Sequence, residues 1–249
     1  MVCVMVSKVF LEERYIDMTE YIKNSMDVEI LKRTPSSFLG SCRFKLPTVE
    51  KSPETYEKII AVLRKLDIQH FFYIGGNDSM DTIKQLSEYA KAKNITDITF
   101  MGVPKTIDND LAVTDHTPGY GSAAKYIAST MKEIIRDALV QPIKIVNIIE
   151  IMGRNAGWLT AAAALAKGDD CEGADLIYLP ETVFDINKFV AKVQEIQKTK
   201  KQIVVAVSEG VKTADGKYVC ESASSNMLVD SFGHKQLSGT ATALANVIS

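Results

Sequence analysis

Short apolar runs alternate with amphipathic stretches along most of this chain. From about residue 55, the runs typical of buried strands are 70–74, 97–103, 143–151, 176–179 and 203–207. The stretches in which apolar residues recur with helical spacing are 54–66, 79–92, 122–139, 157–167, 186–198 and 239–248. Strands separated by helices of about 10–15 residues pair in parallel through right-handed crossovers. The pattern therefore predicts an α/β fold, with a doubly wound, mainly parallel sheet and flanking helices.

Small and polar residues follow four of the predicted strands. The segment Gly75–Ser79 (GGNDS) comes after the first of these strands, and Thr106–Asp110 (TIDND) comes after the second. The segments Met152–Arg154 (MGR) and Ser208–Gly210 (SEG) follow two later strands. Ligand sites in parallel sheets lie beyond the carboxyl ends of the strands. Because backbone N–H groups, carboxylates and amides at such an edge suit a phosphate carried with a divalent cation, we expect phosphoryl transfer.

Composition and charge narrow the function classes. The chain has 29 basic and 31 acidic side chains, for a formal net charge of −2, which argues against a nucleic acid partner. No apolar run approaches the roughly 20 residues that a membrane-spanning helix needs, so we expect no membrane partner. The scattered cysteines (Cys3, Cys42, Cys171 and Cys220) favour reduced thiols in the cytoplasm. The three histidines are also dispersed, which argues against a zinc site.

Both ends of the chain lack parts of the predicted fold. The first 50 residues contain no Gly-rich strand-to-helix turn, with which a doubly wound nucleotide-binding fold usually opens. The last helical pattern, Gly239 to Ile248, is interrupted by the end of the chain at Ser249. We therefore expect a fold that is incomplete at both termini, with apolar surface that is exposed or covered by a partner.

The ordered motifs resemble those of the 6-phosphofructokinases. In addition to the segments above, residues 37–43 (SFLGSCR) and the longer run Pro104–Asp110 (PKTIDND) occur in the order of that family. NAD kinases and diacylglycerol kinases carry loops similar to GGNDS, but TIDND and MGR in this order are far more specific. The resemblance extends from about residue 30 to the end. It implies a phosphofructokinase-like fold, with a donor-phosphate-binding α/β domain at 1–140 that lacks its N-terminal strand and Gly-rich turn, and part of a sugar-phosphate-binding α/β domain at 141–249.

The resemblance also implies a reaction. Members of the family transfer a phosphoryl group to the 1-hydroxyl of fructose 6-phosphate in glycolysis, with Mg²⁺, and form homo-oligomers. Asp78 and Lys105 are similar to residues of the pyrophosphate-dependent branch, whereas ATP-dependent members have glycine at both positions. A carboxylate at Asp78 crowds the place of a nucleotide, and Lys105 adds a cation for a small phosphate anion. We expect pyrophosphate as donor. The alternatives are an ATP-dependent 6-phosphofructokinase, and a non-catalytic or truncated homologue that acts as a binding or regulatory subunit.

The resemblance assigns catalysis to residues in and around TIDND. Asp108 is implied as the general base that takes the proton of the sugar 1-hydroxyl. Thr106 is implied to contact the transferring phosphoryl group, while Lys105 and Arg43 neutralise the charge of the phosphates. From the residues alone, Asp108 is equally a helix N-cap or a turn residue, and the two cations are equally solvated surface charges.

The remaining implied contacts bind the sugar phosphate. Met152, Gly153 and Arg154 resemble the sugar-contacting segment of the family, with glycine for close backbone approach and arginine for the phosphate or the transition state. Glu209 is implied to accept hydrogen bonds from sugar hydroxyls, and Asp110 to orient the substrate or help hold the metal. The alternatives are a strand-end turn for MGR, a solvent-facing carboxylate for Glu209 and an Asx-turn for Asp110.

The segment GGNDS is the implied donor-phosphate loop. The residues expected to bind the donor phosphates are Gly75, Gly76, Asn77, Asp78, Ser79 and Arg43. Asn77 stands where many members of the family have an aspartate that contacts Mg²⁺, and its amide oxygen offers a ligand without charge. Asn77 and Asp78 are therefore the predicted metal ligands. The alternative is a plain strand-to-helix turn. Trp158 is expected to pack in the core.

Overall fold

The computed structural model describes residues 3–4, 11, 15–34, 40, 44–222 and 237–248. These residues form two compact units, the first ending at Pro104 and the second beginning at Lys105. The predicted division by ligand at residue 140 stays a prediction. None of the helices in the described ranges has the length and apolar character needed to cross a membrane.

The first unit contains a short antiparallel ladder and a two-stranded parallel sheet. Its elements are β1 (Cys3–Val4), β2 (Ile16–Asp17), α1 (Ser25–Arg33), α2 (Pro53–Lys65), β3 (His70–Gly75), α3 (Asn77–Ala92) and β4 (Thr99–Pro104). Strand β1 pairs with β2, and β3 pairs in parallel with β4. Gly75 and Pro104, at the carboxyl ends of β3 and β4, are partners in this pairing.

Helices α2 and α3 cover one face of the β3–β4 sheet. Tyr56 and Leu63 of α2 and Leu86 of α3 are buried, with Phe71 and Phe100 of the strands packed against them. Successive side chains of a strand point to opposite faces. The apolar side chains on the other face are exposed: Phe72, Ile74, Met101 and Val103.

The second unit contains a three-stranded parallel sheet. Its elements are α4 (Tyr120–Leu139), β5 (Ile145–Ile151), α5 (Trp158–Ala161), β6 (Leu176–Tyr178), α6 (Ile186–Ile196), β7 (Gln202–Ser208) and α7 (Thr240–Ile248). The strand order is β5–β7–β6, and both pairs are parallel. Strand β7 is the centre of the sheet and is buried from Ile203 to Ser208.

Helices lie on both faces of this second sheet. Val204 of β7 belongs to the same buried cluster as Met131 of α4. Val205, the next residue of the strand, clusters with Phe189 of α6 and Leu244 of α7. Because these two valines point to opposite faces of the sheet, the two clusters are separate cores. The doubly wound, parallel arrangement predicted from the sequence is confirmed.

The alanine-rich stretch is helical, as predicted: α5 continues as a 3-10 helix at Ala162–Ala166. The prediction for Trp158 is wrong. Trp158 is 53% exposed instead of packed in the core, and its ring meets that of Tyr120 edge-on at 6.5 Å between centroids. Leu159 and the alanines form the buried side of this segment, which leaves Trp158, one position earlier, outside the core.

Candidate active site

The turn after β4 carries the residues predicted to be catalytic. Lys105 and Asp110 are exposed, whereas Thr106 and Asp108 are partly buried. The Asp108 N–H donates a hydrogen bond to Thr106 Oγ1 at 3.1 Å. Such a bond to a threonine hydroxyl two residues earlier closes a turn, and it is the local reason why T-x-D folds in this way. Helix α4 begins only at Tyr120, so Asp108 is not a helix N-cap.

Asp108 combines partial burial with an unsatisfied oxygen. Its Oδ1 atom is buried and has no hydrogen-bond partner among the described residues. Burial raises the pKa of Asp108 above its ordinary value, and the charge of Asp110 raises it further. A hydrogen bond with Thr106 and the charges of Lys105 and Arg154 oppose this rise in pKa. A carboxylate whose pKa is raised in this way is a stronger proton acceptor than an ordinary one.

Glu209, directly after β7, is a second partly buried carboxylate. Its Oε1 atom accepts a hydrogen bond from the Gly153 N–H at 3.3 Å. Burial raises the pKa of Glu209, and the charges of Glu150 and Asp108 add to this effect, whereas the Gly153 bond and the charge of Arg154 lower the pKa. The TIDND, MGR and SEG segments therefore converge within the second unit.

Glycines allow the MGR and SEG segments to approach each other. Gly153 has φ 141°, and a Cβ atom there would lie 2.5 Å from the Ala156 carbonyl oxygen. A Cβ atom on Gly210 would overlap the carbonyl of Arg154. The buried Ser208 hydroxyl joins the two segments: it donates to the Gly153 carbonyl oxygen at 2.5 Å and accepts from the Gly210 N–H at 3.1 Å. The two backbones meet so closely that neither glycine has room for a side chain.

Arg154 and Met152 differ in exposure. Arg154 is partly buried, and its charge acts on both Asp108 and Glu209. Met152 is 57% exposed, so its side chain is accessible to a ligand. The arginine is thus the cation that acts on both carboxylates of the cluster, whereas the methionine, two residues earlier, is exposed.

Glu150 is a residue of this region that sequence reasoning missed. It lies in β5, and its carboxylate accepts hydrogen bonds from the N–H groups of Gly239 at 3.2 Å and Ala241 at 2.9 Å, at the beginning of α7. A carboxylate in this position stabilises a helix. Thr240 Oγ1 donates to the Glu209 carbonyl oxygen at 3.3 Å, so α7 also holds the SEG segment. The feature of the sequence that could have indicated this role is the position of Glu150, a charged residue within an otherwise largely apolar strand (IVNIIEI).

The GGNDS segment lies at the beginning of α3, in the first unit. Helix α3 has no side-chain cap, because its N-cap is Gly76. A Cβ atom on Gly75 would overlap the side chain of Ser79, so any larger residue at this strand-to-helix turn would require Ser79 to move. Asn77 is exposed, and Asp78 is partly buried. The N-terminus of a long helix favours an anion through its N–H groups and its dipole.

The predicted metal ligands supply one amide oxygen and one carboxylate. Within the described ranges, no three Asp, Glu, His or Cys side chains are grouped in a way that could hold a metal ion. Magnesium at phosphate-transfer sites is usually held by one or two carboxylates together with substrate phosphates. Asn77 and Asp78 therefore fit a magnesium ion whose other ligands come from phosphate oxygens, and they do not fit a metal held by protein alone.

The structure brings together part of the predicted site. The second unit contains the predicted residues from Lys105 onwards, with Asp108, Arg154 and Glu209 in electrostatic contact. The first unit contains the GGNDS segment. Arg43, predicted to bind phosphate, lies outside the described residues.

Fold and site together define an α/β protein of parallel sheets, with a cluster of carboxylates and an arginine at the strand ends. Residues 9–249 match the sequence model of the phosphofructokinase family. The pyrophosphate–fructose 6-phosphate 1-phosphotransferase of Xanthomonas campestris pv. campestris is 44% identical over 237 residues, which cover 94% of this chain and 55% of the relative. The enzyme of the same name from Halomonas elongata is 39% identical over 240 residues, or 96% of this chain and 56% of the relative.

A solved structure of a phosphofructokinase is also similar to this chain. The pyrophosphate-dependent phosphofructokinase of Nitrosospira multiformis superposes with a TM-score of 0.75 at 36% identity, over 96% of this chain and 54% of that protein. The chain therefore belongs to the phosphofructokinase family. It spans about half the length of the curated relatives it matches.

Proposed function

We propose that this chain acts in phosphoryl transfer from pyrophosphate to the 1-hydroxyl of fructose 6-phosphate, a glycolytic reaction that gives fructose 1,6-bisphosphate. The observation that carries the proposal is Asp108, a carboxylate with a buried, unpartnered oxygen and a raised pKa in a cluster with Arg154 and Glu209. The names of the Xanthomonas and Halomonas relatives supply the donor and the sugar.

In the proposed reaction, Asp108 accepts the proton of the sugar 1-hydroxyl while the oxygen of that hydroxyl bonds to phosphorus. The bond between phosphorus and the bridging oxygen of pyrophosphate breaks, and inorganic phosphate leaves. Arg154, Lys105 and Thr106 stabilise the charge of the phosphoryl group, which is the main source of rate in this chemistry. Glu209 and the backbone of Gly153 bind sugar hydroxyls, with Met152 and Asp110 as further contacts to the substrate.

The donor preference rests on Asp78 and Lys105. The pyrophosphate-dependent relatives support pyrophosphate, and a carboxylate at Asp78 repels the remainder of a nucleotide. Lys105 is exposed, and its ammonium group would offer three donors to a small anion. The backbone at Gly75–Ser79 and the side chain of Arg43 complete the proposed set of donor contacts.

Magnesium is the proposed cofactor, with Asp78 and Asn77 as its protein ligands. When bound, the ion would neutralise charge on the phosphate oxygens. Asp78 would orient the donor through this ion, and Asn77 would contribute an uncharged oxygen.

The test is a coupled assay on the 249-residue chain with Mg²⁺ and fructose 6-phosphate, given pyrophosphate or ATP in separate reactions. Formation of fructose 1,6-bisphosphate with pyrophosphate and not with ATP is the expected result. Turnover with ATP alone would contradict the donor assignment. Absence of turnover with both donors would contradict a catalytic function for this chain and favour a non-catalytic binding or regulatory subunit.

We also propose a cytoplasmic homo-oligomer. Cys171 and Cys220 are buried free thiols, which suits a reducing compartment. The exposed apolar face of β3 and β4, with Phe72 and Ile74 on β3, is a surface that a monomer rarely leaves uncovered. Light scattering coupled to size-exclusion chromatography measures the assembly: a monomer mass at micromolar concentration would contradict this part of the proposal.

A further inference from the structure

Asn109 lies between the two carboxylates of the TIDND turn and differs from them in environment. It is 6% exposed, whereas Asp110 is exposed and Asp108 is partly buried. Its backbone has φ 58°, in the left-handed region that few residues other than glycine and asparagine adopt readily. Burial of an amide side chain is costly unless its donor and acceptor groups are paired. Both ends of the Asn109 amide are paired.

The Asn109 side chain bonds to a backbone segment that is six to eight residues further along the chain. Its Oδ1 atom accepts a hydrogen bond from the buried Thr117 N–H at 2.8 Å. Its Nδ2 atom donates to the Asp115 carbonyl oxygen at 3.1 Å. Residues 112–116 are exposed, although the His116 ring stacks on that of Tyr120 with 6.2 Å between centroids. One buried amide therefore closes the loop from 109 to 117.

The same segment leads directly into α4. The Thr117 carbonyl oxygen accepts a hydrogen bond from the Tyr120 N–H at 3.1 Å, at the first residue of the helix. A Cβ atom on Gly119 would lie 3.1 Å from a methyl group of Ile107, so Ile107 is also packed against this segment. The residues on both sides of Asp108 are thus attached to the beginning of α4, Ile107 by packing and Asn109 by hydrogen bonds.

From these contacts we infer that Asn109 is a positioning residue, which fixes the turn carrying Asp108 onto the backbone at 115–117. The left-handed backbone reverses the chain between the two aspartates, and the amide holds that reversal in place. Both ends of the Asn109 amide are paired with backbone, so its proposed action on the reaction is indirect, through Asp108. Its importance for catalysis rests on the proposed function, because a displacement of about 1 Å in a catalytic group costs on the order of 100-fold in rate.

The test variant is Asn109→Gly, which keeps access to the left-handed backbone and removes both side-chain hydrogen bonds. Amide hydrogen exchange followed by NMR measures the hydrogen bond between the Thr117 N–H and Asn109 Oδ1 directly. We expect the Thr117 amide to be protected in the unmodified protein and to lose protection in the variant, with a change in the chemical shift of the Asp108 amide. Unchanged exchange at Thr117 would overturn the inference.

Two matched controls separate positioning from backbone flexibility. Asn94→Gly changes a second asparagine with positive φ, which unlike Asn109 is exposed and lies just after the end of α3. Val113→Gly places glycine within the loop itself, at a fully exposed side chain with φ 55°. Both variants should keep Thr117 protected. Loss of protection in Val113→Gly equal to that in Asn109→Gly would show that loop stiffness, and not the Asn109 amide, fixes the turn.

The catalytic consequence is measured with the same three variants. For Asn109→Gly we expect kcat to fall about 10- to 100-fold while KM for fructose 6-phosphate changes little, and both controls to keep the kcat of the unmodified protein. An unchanged kcat with lost Thr117 protection would overturn the positioning role. If the unmodified protein does not turn over, the proposed function fails, and the exchange measurement still decides whether Asn109 anchors the turn.

Discussion

The turn that carries Asp108 and the loop that begins α3 both follow strands of a parallel pair, but they present different groups to a ligand. In the turn, a carboxylate has lost part of its hydration, and neighbouring charges tune its pKa. In the loop, glycines bring the backbone close, and the uncapped N-terminus of α3 is the main feature. The first arrangement suits proton transfer, and the second suits anion binding. We therefore expect the rate of the reaction to respond to changes of charge in the turn, and donor binding to respond to changes of backbone space in the loop.

Asp108→Asn should have the largest effect of these substitutions, and the loss should be in kcat and not in stability. We expect kcat to fall about 10²- to 10⁴-fold, the usual contribution of a general base. Because the raised pKa shows that the folded state disfavours the ionised form of Asp108, removing the charge should leave the melting temperature unchanged or slightly higher at neutral pH. Coupled-assay rates and thermal denaturation measure the two quantities.

The matched control for this variant is Asp97→Asn. Asp97 is an exposed carboxylate paired with Arg64 at 2.7 Å, and its pKa is lowered by that hydrogen bond. The control should keep full activity and lose a little stability. A loss of activity as large as that of Asp108→Asn would show that the assay responds to charge in general.

Asp78→Gly combined with Lys105→Gly should change the donor. We expect the ratio of kcat/KM for pyrophosphate to kcat/KM for ATP to fall by about 100-fold or more, because repulsion of the nucleotide and attraction of the small anion are removed together. Initial rates over a range of each donor give the ratio. Preservation of the pyrophosphate preference would mean that other residues select the donor.

Gly75→Ala should weaken donor binding by crowding Ser79. Since the overlap involves a side chain that is able to shift, we expect KM for the donor to rise about tenfold with a smaller change in kcat. Gly121→Ala is the control, because a Cβ atom at this position in α4 meets no atom within 4 Å. Equal effects of the two substitutions would contradict a specific role for the loop backbone.

Asn77→Asp should have the smallest effect. A second carboxylate beside Asp78 should lower the Mg²⁺ concentration needed for half-maximal rate a few-fold, since Mg²⁺ prefers charged oxygen ligands. The measurement is a magnesium titration of the rate at fixed pyrophosphate. A higher magnesium requirement in the variant would place the ion elsewhere.

The sequence predicted the strands and helices after residue 55 because their periodicity is regular and their ends carry glycine, proline or polar residues. Strand β7, for example, is apolar from Ile203 to Val207, which is the run predicted as a buried strand. The roles of Glu150 and Asn109 were not predictable in the same way. Their partners are backbone groups: the Gly239 N–H, 89 residues away, for Glu150, and the Asp115 carbonyl oxygen and Thr117 N–H, 6 and 8 residues away, for Asn109. Backbone groups leave no pattern in a sequence. The prediction that Trp158 packs in the core was wrong because it rested on the size of the aromatic ring. Size favours burial but does not indicate which side of a helix faces the core.

The raised pKa of Asp108 is best measured by NMR titration of its ¹³C-labelled carboxyl group in the unliganded protein. We expect a midpoint above the ordinary aspartate range, so that the proton is lost at higher pH than in an unfolded chain. Asp110→Asn should lower this midpoint, because the charge of Asp110 raises the pKa of Asp108. A midpoint at or below the ordinary range would show instead that Asp108 is a solvated or fully paired carboxylate, which is not the environment proposed for the general base.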